Sequence, residues 1–521
     1  MRKIIFILLV GTTALLTSCR KDFDTVPSSG GLEFSKQTVY LDTIFTDISS
    51  STYMLKVYNR SNDDISIPAV RLERGDASKY RIMVDGMTGI GGNGKYFPNV
   101  EILAKDSLFI FIETTVDIAE AEADLTYNDR ILFGAGTTEQ AVNLVTLIQD
   151  AHFIFPNRDL SGLKEVVTPV GNTNPENFFL GHALTAPEEL NWTNDKPWVV
   201  YGIAYVPPGQ TLHIQEGTKV HFHDGAGIIV DQNAHIVIDG NPSVYDAEGN
   251  LIDDNEVTFE GDRLEPRFSD TPGQWGTVFI LSTSGNTIDH LILKNSTIGL
   301  YLPGDGAQDY KPQVTVTNSQ IYNTAFYGIY GKYANVTAEN LVVNFAGQAC
   351  FAGLEGGNYS LLHCSLNNNW QSTSQLTALF DNYYEDPETR VQTTYPLNMS
   401  VKNSIIYNTN RVGLVINFKD GTSVDTSGFA SNLIKFNDSG TAIEDVALYD
   451  FIRNEQSGNK KNLDPEFNNP NGNQLFIFTT SPAYNAGDNA FQTTGNTDYF
   501  GNIRIANPNP SLGAYNAFEP I

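Results

Sequence analysis

Val206-Pro207-Pro208-Gly209-Gln210-Thr211-Leu212-His213-Ile214-Gln215-Glu216-Gly217-Thr218-Lys219-Val220-His221-Phe222 is the stretch on which the fold turns. Leu212, Ile214, Val220 and Phe222 alternate with polar residues, which is the period of a strand with one buried face. Gly209 and Gly217 stand at the ends of the alternating runs, where a turn with positive φ favours a residue without Cβ. Gly227–Val230 and Ala234–Gly240 repeat the same logic a few residues on. Short one-faced strands recurring at turn-rich intervals predict stacked coils from about Leu190 onward.

Further along, the coils can be counted. Asn295 in Leu293–Ile298, Asn318 in Val316–Ile321, Asn340 in Ala338–Val343, Cys364 in Leu362–Leu366 and Asn403 in Val401–Ile406 occupy similar phrases, at intervals of 23, 22, 24 and 39 residues. Three near-equal periods and one enlarged by an insertion indicate a solenoid. An asparagine at the same turn of each coil can bond backbone groups and its stacked neighbours, so Asn295, Asn318, Asn340, Cys364 and Asn403 are expected to form an internal ladder. The region resembles the right-handed parallel β-helices of the pectate-lyase-like superfamily. Leu463–Phe467, Thr480–Asp488, Asp498–Arg504 and Leu512–Tyr515 resemble the closing segment of secreted bacterial β-helix proteins. A solenoid must cover its last apolar coil, so this segment is expected to be a terminal cap.

Upstream, from Leu32 to Asp150, the pattern changes to period-2 strands between turn clusters: Tyr53-Leu55-Val57, Ile65-Ile67, Tyr80-Ile82-Val84, Leu108-Ile110-Ile112 and Val142-Leu144. Such strands fit an Ig-like β-sandwich, and Val57–Asn62 followed by Ile65-Ser66-Ile67 resembles bacterial Ig-like modules of the abnormal-spindle type. The expected fold is therefore all-β: an Ig-like sandwich over 32–150, a connecting segment over 151–189, and a right-handed parallel β-helix over 190–521.

At the start, Arg2 and Lys3 precede a thirteen-residue run from Ile4 to Leu16, long enough for an export signal and too short to span a bilayer. Leu16-Thr17-Ser18-Cys19 follows and resembles the bacterial lipobox, which implies cleavage after residue 18 and acylation of Cys19. Arg20–Asp24 resembles the tether that directs many Bacteroidota lipoproteins to the cell surface, so 19–31 is expected to be a lipidated linker. The resemblance as a whole is to Bacteroidota surface lipoproteins, which implies an outer-membrane protein held to the membrane by its lipid.

Composition agrees with a folded β protein and excludes one class of partner. Forty-one per cent hydrophobic and 18% charged residues are too apolar for disorder, and 44 Gly with 24 Tyr and 30 Phe against 5 Met favour strands and turns. The net charge of −28 argues against nucleic acid, whose phosphates demand a basic surface.

No catalytic set assembles from spacing. Lyases of this fold use a basic residue beside a uronate carboxylate, but Lys294 and Lys402, each preceding a ladder residue and expected on one outer face, have no acidic trio to hold Ca²⁺ beside them. No cofactor or metal is therefore expected, and His221 and His223 lack a third ligand. The insertion between Cys364 and Asn403 is the best surface feature: Trp370, Asp381, Tyr383, Tyr384 and Asp386 offer rings and acids that can stack on and bond to sugars. A second decoration holds Arg263, Arg267 and Trp275. The expected function is a non-catalytic module that binds a polysaccharide or a surface protein, the alternative being a lyase or glycosidase acting on acidic polysaccharide. Cys350 and Cys364 fall at different corners and are expected to be separate thiols. Because Leu16–Cys19 is the one lipobox-like phrase, Cys19→Ala is expected to lose palmitate label and to leave the membrane fraction; label retained by the variant contradicts the lipoprotein reading.

Overall fold

The computed structural model describes residues 24–122, 124–170, 178–245, 251–370, 372, 374–419, 424–506 and 508–520. The run expected to be an export signal, and Cys19, lie outside them. The chain divides after Asp150 into two compact units.

The first unit is two sheets around one apolar core. One sheet orders Val26–Pro27, Ile65–Leu72, Thr126–Phe133, Gln140–Gln149 and Thr38–Phe45, with Tyr96–Ile102 added on Ile65–Leu72; the other orders Glu33–Phe34, Tyr53–Tyr58, Ser107–Thr114 and Tyr80–Val84. Alternate residues of both, among them Leu55, Val57, Ile82, Ile110, Ile131 and Leu144, meet in the shared core. The tether expected over 19–31 is not wholly outside this unit, because Val26 and Pro27 pair in parallel with Ile65 and Ser66.

The second unit is a parallel coil. Each full turn supplies one strand to each of three ladders. The first ladder runs from His152–Ile154 through Trp198–Val200, Lys219–Phe222, Val257–Gly261 and Leu291–Lys294 to Lys460–Lys461. The second contains Ile203–Val206, Gly227–Val230, Val278–Ile280 and Ile298–Pro303; the third contains Thr211–Gln215, His235–Asp239, Thr287–Asp289 and Gln313–Thr317. Tyr327–Glu339 and Ala349–Leu362 run unbroken from the second ladder into the third, which joins the two into one 17-stranded sheet. The inward residues, including Leu212, Ile214, Val220 and Phe222, form one continuous core. Coiling begins well before Leu190: His152–Ile154 pairs with Trp198–Val200 and Gly181–Ala183 with Ile203–Tyr205, so strands near both ends of the expected connecting segment already belong to the ladders.

The asparagine ladder exists, with a different membership. The corner between the third and first ladders is turned by one left-handed residue per coil: His290, Asn318, Asn340, His363, Asn403 and Ser431, with φ between 46 and 54°. Asn tolerates this conformation because its short amide bonds locally. Asn340 Nδ2 donates to Asn318 Oδ1 at 2.7 Å, Asn318 Nδ2 to Asp289 Oδ1 at 2.8 Å, and Asn403 Nδ2 lies 3.1 Å from His363 Nε2. Cys364 is therefore not a rung. Leu362 pairs with Lys402, which puts His363 level with Asn403 and turns Cys364 into the long core that also holds Cys350; both thiols are free and buried. Asn295 belongs to another corner: Lys294 pairs with Tyr322, so Asn295 sits over Asn323 at the exit of the first ladder.

The closing segment does not cap the solenoid end. Tyr449, Phe451 and Ile452, on and beside the short helix Asp450–Arg453, enter the main core and cover the last coil. Beyond Leu463 the chain turns back along the coils as a strap. Its Leu475, Ile477, Leu512 and Tyr515 cover the outward Val342, Ile405 and Leu433 of the first ladder. Tyr499 donates its hydroxyl to Glu256, far back in the stack. The corner residues hold the strap as well as one another. Asn340 Nδ2 donates to Thr497 O at 3.0 Å, and Asn403 Nδ2 donates to Asp488 O and Phe491 O at 3.0 and 3.1 Å while its Oδ1 accepts from Asp488 N–H at 2.8 Å. Arg504, almost wholly buried, donates to Asn340 Oδ1 and to the carbonyls of Gly513 and Ala514. Asn403→Ala is expected to lower unfolding free energy by about 1–3 kcal/mol, since it removes the donor to two strap carbonyls and the acceptor of the Asp488 N–H. Equal denaturant midpoints for variant and wild type would contradict the strap's dependence on this corner.

Candidate functional site

The second ladder carries an unusual outward row. Phe279, Tyr301, Tyr330, Ala352 and Leu379 are in register, and Pro303, Lys332 and Leu354 follow two residues on. Strand stacking brings the rings together. Tyr301 and Tyr330 lie 4.9 Å apart and within 5° of parallel, Tyr327 stacks on Tyr330 at 4.7 Å, and Phe279 meets Tyr301 edge-on at 5.0 Å. All three tyrosines are half-buried, which leaves part of each open to solvent.

At the end of this platform the backbone bulges. The pairing of Tyr327–Glu339 with Ala349–Leu362 slips between Lys332 and Ala334, and Glu355, Gly356 and Gly357 take φ of 58, 80 and 114°. A Cβ on Gly356 would approach Pro396 O to 2.7 Å and one on Gly357 would approach Ala334 O to 2.6 Å, so glycine is required at both. The bulge presents Glu355 beside the platform. Lys332 Nζ stands 3.1 Å from Glu355 Oε1, and Glu355 N–H donates to Asp381 Oδ1. Burial pushes the Asp381 carboxyl up to about 6, against the backbone bond from Glu355, and the Glu355 charge adds to the rise. For Lys332 burial pulls downward, but the bond to Glu355 together with the Glu355 charge and the neighbouring tyrosines outweighs it and holds the ammonium above its ordinary value. A hairpin of Tyr383–Glu385 on Gln392–Thr394 borders the cluster, and Tyr384 lies close enough to act on Lys332. The result is an aromatic surface edged by two carboxyl groups and one ammonium: rings for the apolar face of a sugar, and donors and acceptors for its hydroxyls.

Of the residues expected at a ligand, the structure brings Asp381 and Tyr384 to this cluster, with Tyr383 on the same hairpin. Asp386 is instead the cap of the hairpin turn, its Oδ1 accepting from the N–H of Glu388 and Thr389 at 3.0 and 2.7 Å. Trp370 lies at the corner over Gly347. Trp275 is a core residue, 1% exposed and stacked on Phe222 at 4.2 Å. Arg263 and Arg267 both lie over the Phe268 ring, at 4.0 and 4.7 Å, and Arg263 pairs with Glu265 at 2.9 Å, so this decoration is bound to itself. Lys294 and Lys402 do not share a face. Lys294 pairs with Glu260 at 2.7 Å on the first ladder, while Lys402 lies over Phe491 on the third. His221 faces Glu260 and His223 faces Asp262, and no group of three metal-binding side chains occurs among the described residues. Tyr301, Tyr327, Tyr330 and Glu355 were not singled out from sequence. Their signal is the parallel between Ile298-Gly299-Leu300-Tyr301 and Tyr327-Gly328-Ile329-Tyr330, legible once the coils are in register.

No family model matches the chain, and neither does any curated protein. Among solved structures it is similar to a family 123 glycoside hydrolase from Clostridium perfringens, at 9% identity over 24% of this chain and 30% of that one, with a TM-score of 0.16. It is also similar to a chain of the chaperone–tip adhesin complex of CFA/I fimbriae, at 11% identity over 28% and 77% with a TM-score of 0.14. A third likeness is to the catalytic unit of a GH87 α-1,3-glucanase from Streptomyces thermodiastaticus strain HF3-3, at 12% identity over 73% and 72% with a TM-score of 0.23. Scores this low transfer no activity to this chain.

The Asp381 carboxyl gives the cluster a pH signature. Its folded value lies above the ordinary 3.8, so the ionised form disfavours folding. The penalty, at most about 3 kcal/mol, is present above about pH 6 and is relieved as pH falls toward the unfolded value. The difference in melting temperature between wild type and Asp381→Asn is therefore expected to shift in favour of wild type on acidification through that window. A constant difference would contradict a raised carboxyl.

Proposed function

We propose that this chain is a glycan-binding protein displayed on the outer membrane by a lipid on Cys19. In this reading the first unit is an Ig-like spacer and the second a right-handed β-helix that presents the site. The observation that carries it is the platform of Tyr301, Tyr327 and Tyr330 edged by Lys332, Glu355 and Asp381. Rings already stacked on a rigid parallel sheet lose little freedom on binding, which favours recognition of an extended ligand. Localisation rests on the export run and the lipobox-like phrase alone. The parallel pairing of Gln140–Gln149 with Thr38–Phe45, the last long strand of the first unit against an early one, supports the Ig-like reading.

One observation favours a second reading, glycoside hydrolysis. Burial raises the Asp381 carboxyl to about 6 beside a second carboxyl, Glu355, and a carboxyl held toward its protonated form next to another is what the general acid of a glycosidase requires. A lyase is less well supported, because Lys294, Lys332 and Lys402 are each engaged by Glu260, Glu355 and Phe491.

A glycan array followed by titration of the best ligand separates these. Tyr330→Ala is expected to weaken binding about tenfold by removing the middle ring of the platform, with no new reducing ends formed by wild type. Release of reducing ends that disappears in Asp381→Asn would establish hydrolysis in place of simple binding.

A further inference from the structure

We infer that the ligand of the tyrosine platform is an uncharged polysaccharide, and not one bearing uronate or sulfate groups. This rests on the glycan reading above and goes beyond it by assigning the ligand's charge.

The argument is an inventory of the charges around the platform. Two carboxyl groups, Glu355 and Asp381, meet there against one ammonium, Lys332, and that ammonium already lies 3.1 Å from Glu355. The nearby cations on bordering loops are committed as well. Lys311 pairs with Asp309 and lies 4.2 Å from the centre of the Tyr333 ring, Arg390 pairs with Glu385 at 2.7 Å, and Lys419 Nζ donates to Gln392 O at 3.1 Å. An anionic sugar would have to draw Lys332 from Glu355 and leave two carboxyl groups facing its own charge. The body's net charge of −28 adds long-range repulsion against any polyanion.

The neighbouring surface has the same character. Around the corner, on the third ladder, a groove is lined by Asn335, Asn358, Asn398, Thr337, Ser360 and Ser400, with no charged residue in its lining. Asn398 Nδ2 donates to Asn358 Oδ1 and Asn358 Nδ2 to Asn335 Oδ1, both at 2.6 Å. Asn358 thereby uses one donor and one acceptor, Asn398 one donor and Asn335 one acceptor, and each amide keeps further capacity, so the groove offers neutral donors and acceptors at the strand spacing. Asn335 and Asn358 each follow by three residues a member of the border of the platform, Lys332 and Glu355. Uncharged hydroxyl-rich chains suit both surfaces.

The test is affinity electrophoresis of the full chain through gels containing xylan, mannan, laminarin or dextran, and in parallel polygalacturonate or alginate, at low and high salt. The expected result is retardation by at least one neutral polymer, insensitive to salt and lost in Tyr330→Ala, with retention by the polyanions weaker by about tenfold or more. Glu355→Gln/Asp381→Asn is expected to narrow that gap, and a wild-type-like melting curve qualifies the variant; the salt series on wild type gives an answer should it misfold. Tyr330-dependent retardation by polygalacturonate or alginate that exceeds retardation by every neutral polymer would overturn the charge assignment and leave the glycan reading standing. Retardation by no polymer, or retardation indifferent to Tyr330→Ala, would overturn the glycan reading and this inference with it.

Discussion

From His290 to Ser431, six successive coils leave the third ladder and enter the first through a single residue in the left-handed conformation, and much else in the solenoid depends on that turn. For a non-glycine residue the conformation is costly unless the side chain finds local partners. Asn318, Asn340 and Asn403 supply them by bonding the coil below and the strap outside. The same amides that make the turn tolerable therefore fasten the last sixty or so residues along the stack. Arg504 extends the arrangement by binding Asn340 and two strap carbonyls in one buried position. A guanidinium so deeply placed is sustained by those acceptors, and its value is drawn down to about 10 by burial.

The candidate site exploits the opposite situation, a corner that is not turned sharply. Tyr327–Glu339 and Ala349–Leu362 continue through the junction of the second and third ladders, and the extra length is absorbed by the bulge at Glu355-Gly356-Gly357. Bulges re-aim side chains. Here the bulge delivers the Glu355 carboxylate to Lys332 and the Glu355 backbone N–H to the Asp381 carboxylate, at the edge of rings that strand stacking has already aligned. The hairpin at 383–394 is then a border to a site whose floor belongs to the coils.

Several features of this arrangement were legible in the residues and several were not. Period-2 alternation at Leu212, Ile214, Val220 and Phe222 named inward positions correctly, because alternation on a one-faced strand is a local property. The similar phrases around Asn295 and Asn318 misled, because two corners of the same coil both favour an asparagine in the left-handed conformation. Separately, Leu362-His363-Cys364-Ser365 imitates Val401-Lys402-Asn403-Ser404 one residue out of register, so Cys364 was assigned a place that His363 holds. Trp275 and Arg263 read as exposed decoration, but the tryptophan fills the core against Phe222 and the arginine folds onto Phe268. Neither outcome is visible in residue type, since an aromatic or an arginine in a turn-rich phrase suits either side of the chain.

What the sequence determined by itself was the all-β class, the change of pattern near Asp150, and the succession of short strands, since each follows from contacts between residues close along the chain. What only the tertiary structure decided was which residues meet. The tyrosine platform joins Tyr301 to Tyr330, the strap joins Tyr499 to Glu256, and the carboxyl cluster joins Glu355 to Asp381. Those encounters depend on the number of residues each coil consumes, and one residue of slip at a corner exchanges an outward side chain for an inward one along the strand that follows. Register in a parallel stack is set by the packing of one coil on the next, so the site exists only once the coils are assembled.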